Sequence, residues 1–409
     1  MKTSLHILPL LLACLISCDP GGQKTDTVPP ANSSAERDLL ETWPEGGPEL
    51  LWKYVGLGRG YGGPCISGEG IFINAEEEGM SYTIGLDHQG NLLWRSPNGT
   101  EFLGGGYSAS FPGTRSSPRV YGGFVYAASC LGQVSCFDIR NGWVNWTVDL
   151  VQDYQGKPGD FGYSESPVVD EDKVYCFTGG KTHNMVALDR LTGALVWSAP
   201  VNRDSFAYST PILLDLPERQ VLTGTSRNYI HVVDRKDGTL LSSYRLEDIR
   251  YGYEHCNSVI YHEGYIYFVA CEEHGQGTVK LQLAKDGKKL TEVWRNPKVV
   301  NVFEGFVLVD NWLYATMENK MLLALDTETG RIRHSVRAQS GNIVYAHGKL
   351  FIYGHNGRLQ LFGFENGKPV LRSEMRISHG TGQHFSFPVI ADGVMYIRRG
   401  NELMAYSLE

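Results

Sequence analysis

Beyond its N-terminal twenty or so residues the 409-residue chain has no apolar run long enough to cross a bilayer as a helix. It has no block of Lys or Arg, and its formal charge of −8 argues against a nucleic-acid surface. CxxC and HExxH spacings are both missing, so neither a thiolate zinc site nor a zinc-protease helix is written here. There is no Gly-x-Ser-x-Gly elbow to present a serine nucleophile. Gly104-Gly105-Gly106 lacks the strand-to-helix setting of a phosphate cradle, and His274, His347 and His355 are scattered as turn or surface residues. No two cysteines are adjacent.

What the chain does have is glycine, 48 residues of it, with 11% aromatics, the composition of many short strands joined by tight turns. A phrase recurs: an apolar strand ending in Asp, a turn with Gly, and a strand closing on Trp. It reads Leu86-Asp87, Gly90, Trp94, then Phe137-Asp138, Gly142, Trp146, then Leu188-Asp189, Gly193, Trp197. Eroded copies follow at Asp234 with Gly238, at Ala284 with Gly287 and Trp294, and at Asp326 with Gly330. The spacing, roughly 40 to 50 residues, is that of one four-stranded propeller blade. Asp can bind the amides of the turn, Gly takes the positive-φ position, and Trp can wedge between blades while its N–H finds a carbonyl.

Read blade by blade, the phrase divides the chain at Pro64–Pro97, Ser116–Leu150, Ser164–Pro200, Ser209–Leu246, Asn257–Asn296, Phe303–Arg337 and Asn342–Ile377. The segment Phe385–Leu408 supplies only three strands of an eighth blade. Glu49-Leu50-Leu51-Trp52-Lys53-Tyr54 has Trp52 in the Trp position and can supply the fourth, removing an open sheet edge. The expected fold is therefore all-β, an eight-bladed β-propeller over residues 48–409 whose last blade is closed by an N-terminal strand. Seven blades is the competing count, because blades 4, 5 and 7 are degenerate.

The N-terminus differs in kind. Lys2, the apolar stretch Ile7 to Ile16 and Leu15-Ile16-Ser17-Cys18 resemble a bacterial lipoprotein signal in residues 1–18, with Cys18 as the lipidated residue. The alternative is a plain secretory signal with an incidental Cys. Several acyl chains on Cys18 would make a stable anchor. Asp19 resembles a retention signal in one bacterial group, so which membrane holds the chain stays open. Residues 19–47, rich in Pro, Gly, Ser and Thr, read as a flexible tether.

Gly162-Tyr163-Ser164-Glu165-Ser166-Pro167 and Ala187-Leu188-Asp189-Arg190-Leu191-Thr192-Gly193-Ala194-Leu195-Val196-Trp197 resemble the repeats of the PQQ-like, quinoprotein alcohol-dehydrogenase-like propellers. That superfamily also contains non-catalytic outer-membrane assembly lipoproteins. The resemblance covers Leu50 onward and implies the fold; activity depends on the site. A PQQ dehydrogenase would need Ca²⁺ on carboxylate and amide oxygens, an Asp base and stacking groups, and many carry an adjacent-cysteine disulfide. No matching Asp, Glu and Asn set is present, and the expected cofactor is none.

Function then falls to the loops from each outer strand to the next inner strand, longest at Asn98–Arg115, Gln152–Tyr163, Asn202–Tyr208, Glu247–Cys256 and Ser378–Phe385. The candidate ligand- or partner-binding residues are Tyr107, Arg115, Tyr163, Glu165, Tyr208, Tyr251, Tyr253, Glu254, His255 and His384. The competing view is that Tyr163, Tyr208 and Phe385 occupy one repeat position and seal the channel. If a hairpin turns at Glu263-Gly264, Cys256 and Cys271 fall opposite each other and are the candidate disulfide, whereas Cys130 and Cys136 point to opposite faces. The expected function is a monomeric, lipid-anchored envelope module, periplasmic or surface-facing, that binds a protein or glycan partner without chemistry of its own. A PQQ-dependent alcohol or sugar dehydrogenase is the alternative, and a glycan lyase using Tyr253 with His255 a weaker one.

Overall fold

A computed structural model describes residues 39–205, 207–246, 255–271, 276–302 and 305–409. They form eight four-stranded antiparallel sheets, each a hairpin meander from an inner to an outer strand, except that the eighth takes its outer strand from the other end of the chain. Blade 3 shows the pattern: Val168–Val169, Lys173–Phe177, Met185–Asp189 and Leu195–Ala199. The second and third strands are buried almost throughout, because both faces of a blade pack on neighbours. The outer strand is exposed in its first half and buries Trp197.

The repeated Trp has one job at five of the eight junctions. Trp94 Nε1 donates to the Ile139 carbonyl (2.9 Å), Trp146 to Arg190 (2.9 Å), Trp197 to Arg235 (3.1 Å) and Trp294 to Thr327 (2.9 Å). Each acceptor is the residue directly after the anchoring Asp of the next blade. That Asp is fixed in turn by local amides: Asp189 Oδ1 accepts from the Thr192 N–H at 2.8 Å and the Leu191 N–H at 3.1 Å. The turn glycine lies under the indole, so that a Cβ on Gly193, at φ +72°, would meet Trp146 at 2.8 Å. Blade 4 lacks the Trp, and there the Ser242 hydroxyl reaches the Gly287 carbonyl at 2.7 Å. Blade 6 uses Trp312 and Tyr314 from its second strand, against Gly367.

Closure follows the same rule. Leu50–Val55 pairs with Glu402–Ser407, Trp52 lying opposite Ala405. Trp52 Nε1 then donates to the His88 carbonyl of blade 1 at 2.9 Å. Arg398, fully buried and in no ion pair among the described residues, donates to the carbonyls of Asn74 (2.8 Å) and Gly62 (3.3 Å) and to the Thr114 hydroxyl (2.8 Å), knitting blade 8 to blade 1.

The tether is shorter than its composition suggests. Leu39 and Trp43 are buried against blades 7 and 8, and the Leu40 N–H donates to the Leu408 carbonyl at 2.8 Å. The Trp43 N–H binds the Ser373 hydroxyl at 2.8 Å, and its ring lies 6.4 Å from Phe351. Two apolar residues in a polar stretch suffice to dock it.

Gly193→Ala and Gly123→Ala separate backbone strain from steric conflict. Both positions have positive φ, but nothing lies within 4 Å of a Cβ on Gly123. Gly123→Ala is expected to cost about 1 kcal/mol, and Gly193→Ala about 1 to 3 kcal/mol more. Urea unfolding followed by tryptophan fluorescence measures both; equal losses would show that the indole does not need the bare glycine.

Candidate functional site

The eight inner strands leave an axial channel of about 670 Å³. At the end where the outer-to-inner connections emerge, aromatic rings form a continuous chain across the mouth. Tyr61 lies 5.7 Å from Phe385, Phe385 stacks on Phe111 at 6.2 Å, Phe111 meets Phe161 at 6.0 Å, and Phe161 meets Tyr208 at 6.0 Å. Tyr107, on the short helical turn Gly106–Ser110, touches Phe111 and Phe161 edge-on and is 77% exposed. Polar bonds brace the rings: the Tyr61 hydroxyl reaches Gln383 Oε1 at 3.0 Å, and Gln383 Nε2 reaches the Ser110 carbonyl at 3.1 Å.

Arg115 is committed beneath this layer. Its guanidinium donates to the carbonyls of Gly113 (2.8 Å) and Phe111, and lies 4.7 Å above the Phe102 ring. It shapes the loop that carries Tyr107 and Phe111. The Tyr208 N–H takes the His255 carbonyl at 3.0 Å while its hydroxyl accepts the Phe161 N–H at 3.3 Å.

Tyr107, Arg115 and Tyr208 thus meet through Phe161. The other described candidates lie apart, between blades. Tyr163 is buried with its hydroxyl on the Thr178 carbonyl (2.7 Å), and burial raises its pKa. Glu165 lines a small void between blades 2 and 3, and desolvation holds its carboxyl well above the usual range. His384 lies against the Tyr353 hydroxyl, Nδ1 to oxygen 2.6 Å, at the junction of blades 7 and 8. His255 is buried, with the Cys271 Sγ 3.3 Å from Nδ1 and Phe268 edge-on. Tyr251, Tyr253, Glu254 and Cys18 lie outside the described residues. Phe111 and Phe161, missing from the expected set, carry the mouth; their signal was an aromatic beside Pro or Gly in a long connection, Phe111-Pro112 and Phe161-Gly162.

The expected disulfide is not formed. The hairpin does turn at Glu263-Gly264, with His262 opposite Tyr265, but the ladder ends at the Ile260 and Tyr267 pair. Past that point Cys256 leaves the sheet for the channel wall while Cys271 turns to His255, so both are thiols. Cys65 and Cys176 are buried, as their apolar surroundings require.

The donor set does not suit a Ca²⁺-held quinone. The described lining of the channel contains no Asp or Glu, so the carboxylate ligands and a carboxylate base are both missing from it. No group of three or more His, Cys, Asp or Glu side chains converges anywhere among the described residues.

The ring of eight sheets and its Asp-Gly-Trp phrase define a class, the PQQ-like eight-bladed propellers. Within it the chain belongs to the family described as outer membrane protein assembly factor BamB, whose model matches residues 79–336, from blade 1 through blade 6. A curated relative, the outer membrane protein assembly factor BamB of Kangiella koreensis, is 26% identical over 193 residues, 46% of this chain and 43% of that one. The match therefore spans less than half of the relative's length. Among solved structures, BamB from Moraxella catarrhalis superposes with a TM-score of 0.64 at 14% identity, covering 88% of this chain and 97% of the other. The computationally designed Ika8 protein superposes at 0.58 and 12% identity, covering 88% and 100%. At these identities the structural likeness concerns the fold.

Burial between blades has a pH consequence. Desolvation pulls His231, His255, His355 and His384 down to about 4. Each stays neutral in the fold to that pH yet takes a proton near 6.5 once unfolded, so stability falls as pH drops from 6.5 toward 4. The loss is up to about 1.4 kcal/mol per pH unit per histidine. Glu165 opposes it, because its raised pKa favours the fold at low pH. Four groups outweigh one, so the melting temperature should fall between pH 7 and pH 5. A melting temperature that is constant or rises on acidification would contradict this assignment.

Proposed function

We propose that the chain is a non-catalytic scaffold of the cell envelope that takes part in outer membrane protein assembly, with its mouth face engaging an envelope protein. The family match over residues 79–336 carries the reading. The mouth supports it: Tyr107 stands exposed above rings already engaged with one another, and Arg115 is spent on main-chain carbonyls rather than held ready for a substrate. Exposed aromatics on a rigid base are the usual anchors of protein recognition. Cys18 is the proposed attachment to the membrane, through acyl chains, with the propeller on the periplasmic side. No cofactor is proposed.

A photo-crosslinking amino acid at Tyr107, in cells producing the full chain, should trap a component of the outer-membrane assembly machinery, identified by mass spectrometry. The same group at Leu195 on the outer rim should trap it at least about tenfold less. Crosslinks to no envelope protein, or equal yield from both positions, would overturn the use of the mouth face. Separately, replacing residues 1–18 by a cleavable secretory signal without a lipidation Cys should move the chain from the membrane to the soluble fraction of the envelope.

A further inference from the structure

Below the aromatic mouth the channel has two unlike walls. Blades 2 to 4 present Ser117, Arg119, Ser164, Ser166 and Thr210, whereas blades 6 to 8, across the eightfold ring, present Phe306, Val307, Leu308, Val344 and Val389. The polar wall is made of donors. The Ser166 hydroxyl accepts the Ser117 N–H at 2.9 Å and the Thr210 hydroxyl accepts the Ser166 N–H at 3.0 Å, which leaves each O–H to donate. Neither has a protein acceptor among the described residues. Half-buried Arg119 forms no ion pair or hydrogen bond among them either, and it lines a channel whose described walls hold no carboxylate, in a chain of net charge −8.

A guanidinium half-withdrawn from water favours an anion beside it, and the described part of the facing wall offers none. We infer that the channel binds an apolar carboxylate, its carboxylate on Arg119 and the Ser166 and Thr210 hydroxyls and its hydrocarbon body against blades 6 to 8. Arg pairs with a carboxylate through two parallel N–H donors, which suits that headgroup. The volume of about 670 Å³ lies within the range of small-molecule sites. The site stands independently of the scaffold role, because none of the residues named for the polar wall belongs to the ring contacts of the mouth.

The test is isothermal titration of the chain from Asp19 onward, without the signal segment and Cys18, which removes the need for detergent. Dodecanoate and 2-naphthoate are the probes, each beside its uncharged alcohol, dodecanol and 2-naphthalenemethanol. At least one acid should bind saturably, one per chain, about tenfold or more tighter than its alcohol, and more weakly as salt is raised. A preference for dodecanoate assigns an acyl-chain ligand and a preference for 2-naphthoate a flat one. Arg119→Gln should weaken the acid by about tenfold or more and leave the alcohol unchanged. Val307→Glu, a carboxylate on the wall that holds the hydrocarbon body, should weaken both probes but the acid more, by about tenfold or more relative to its alcohol, and carries the test if Arg119→Gln does not fold. No saturable binding of either acid below about 1 mM, or equal binding of acid and alcohol, would overturn the inference.

Discussion

Five of the eight blade junctions rest on a hydrogen bond between an indole N–H and the carbonyl that follows an aspartate in the next blade. The bond needs three residues at once. Asp must fix its own turn so that the following carbonyl points outward, Gly must leave room for the ring, and Trp must come from the neighbouring sheet. Because donor and acceptor belong to different blades, the contact sets the rotation of one sheet on the next. Repeated round the ring, the same small rotation closes a circle, and the channel at its centre is the geometric remainder of that closure.

This is why the architecture was legible in the sequence. The phrase is local, its spacing is one blade, and even the closing strand announces itself by Trp52. The junctions where the phrase erodes were harder. Ser242 and Trp312 replace the indole from positions that carry no repeat signal, so only the coordinates show how blades 4 and 6 hold their neighbours. The docked strap failed for a related reason. Leu39 and Trp43 are two apolar residues in a polar stretch, and their partners are about 300 or more residues away in sequence.

The site was read less well, and along a clear line. Loop position was the right guide, since Tyr107, Arg115 and Tyr208 do meet at the mouth. Residue chemistry was the wrong one. Charged and titratable side chains in the connections, Glu165 and His384 among them, turned inward between blades, where each finds its own environment. The apolar Phe111 and Phe161, carried on two of the long connections, took the channel mouth instead. The hairpin turns at Glu263-Gly264 as expected, but a strand of three residues ends before the ladder reaches Cys256 and Cys271.

The eighth blade sets the order in which the molecule can be finished. Leu50–Val55 pairs with Glu402–Ser407, which are made about 350 residues later. Seven sheets can form as they arrive, each hairpin beside its predecessor, while this strand waits with one edge unsatisfied. Closing the ring therefore takes a single long-range encounter between these two strands, and its loop-closure entropy is met at one point. Until then the half-built ring has two open rims. A chain that stalls before its last strand would expose both, and a second stalled chain offers the matching edges.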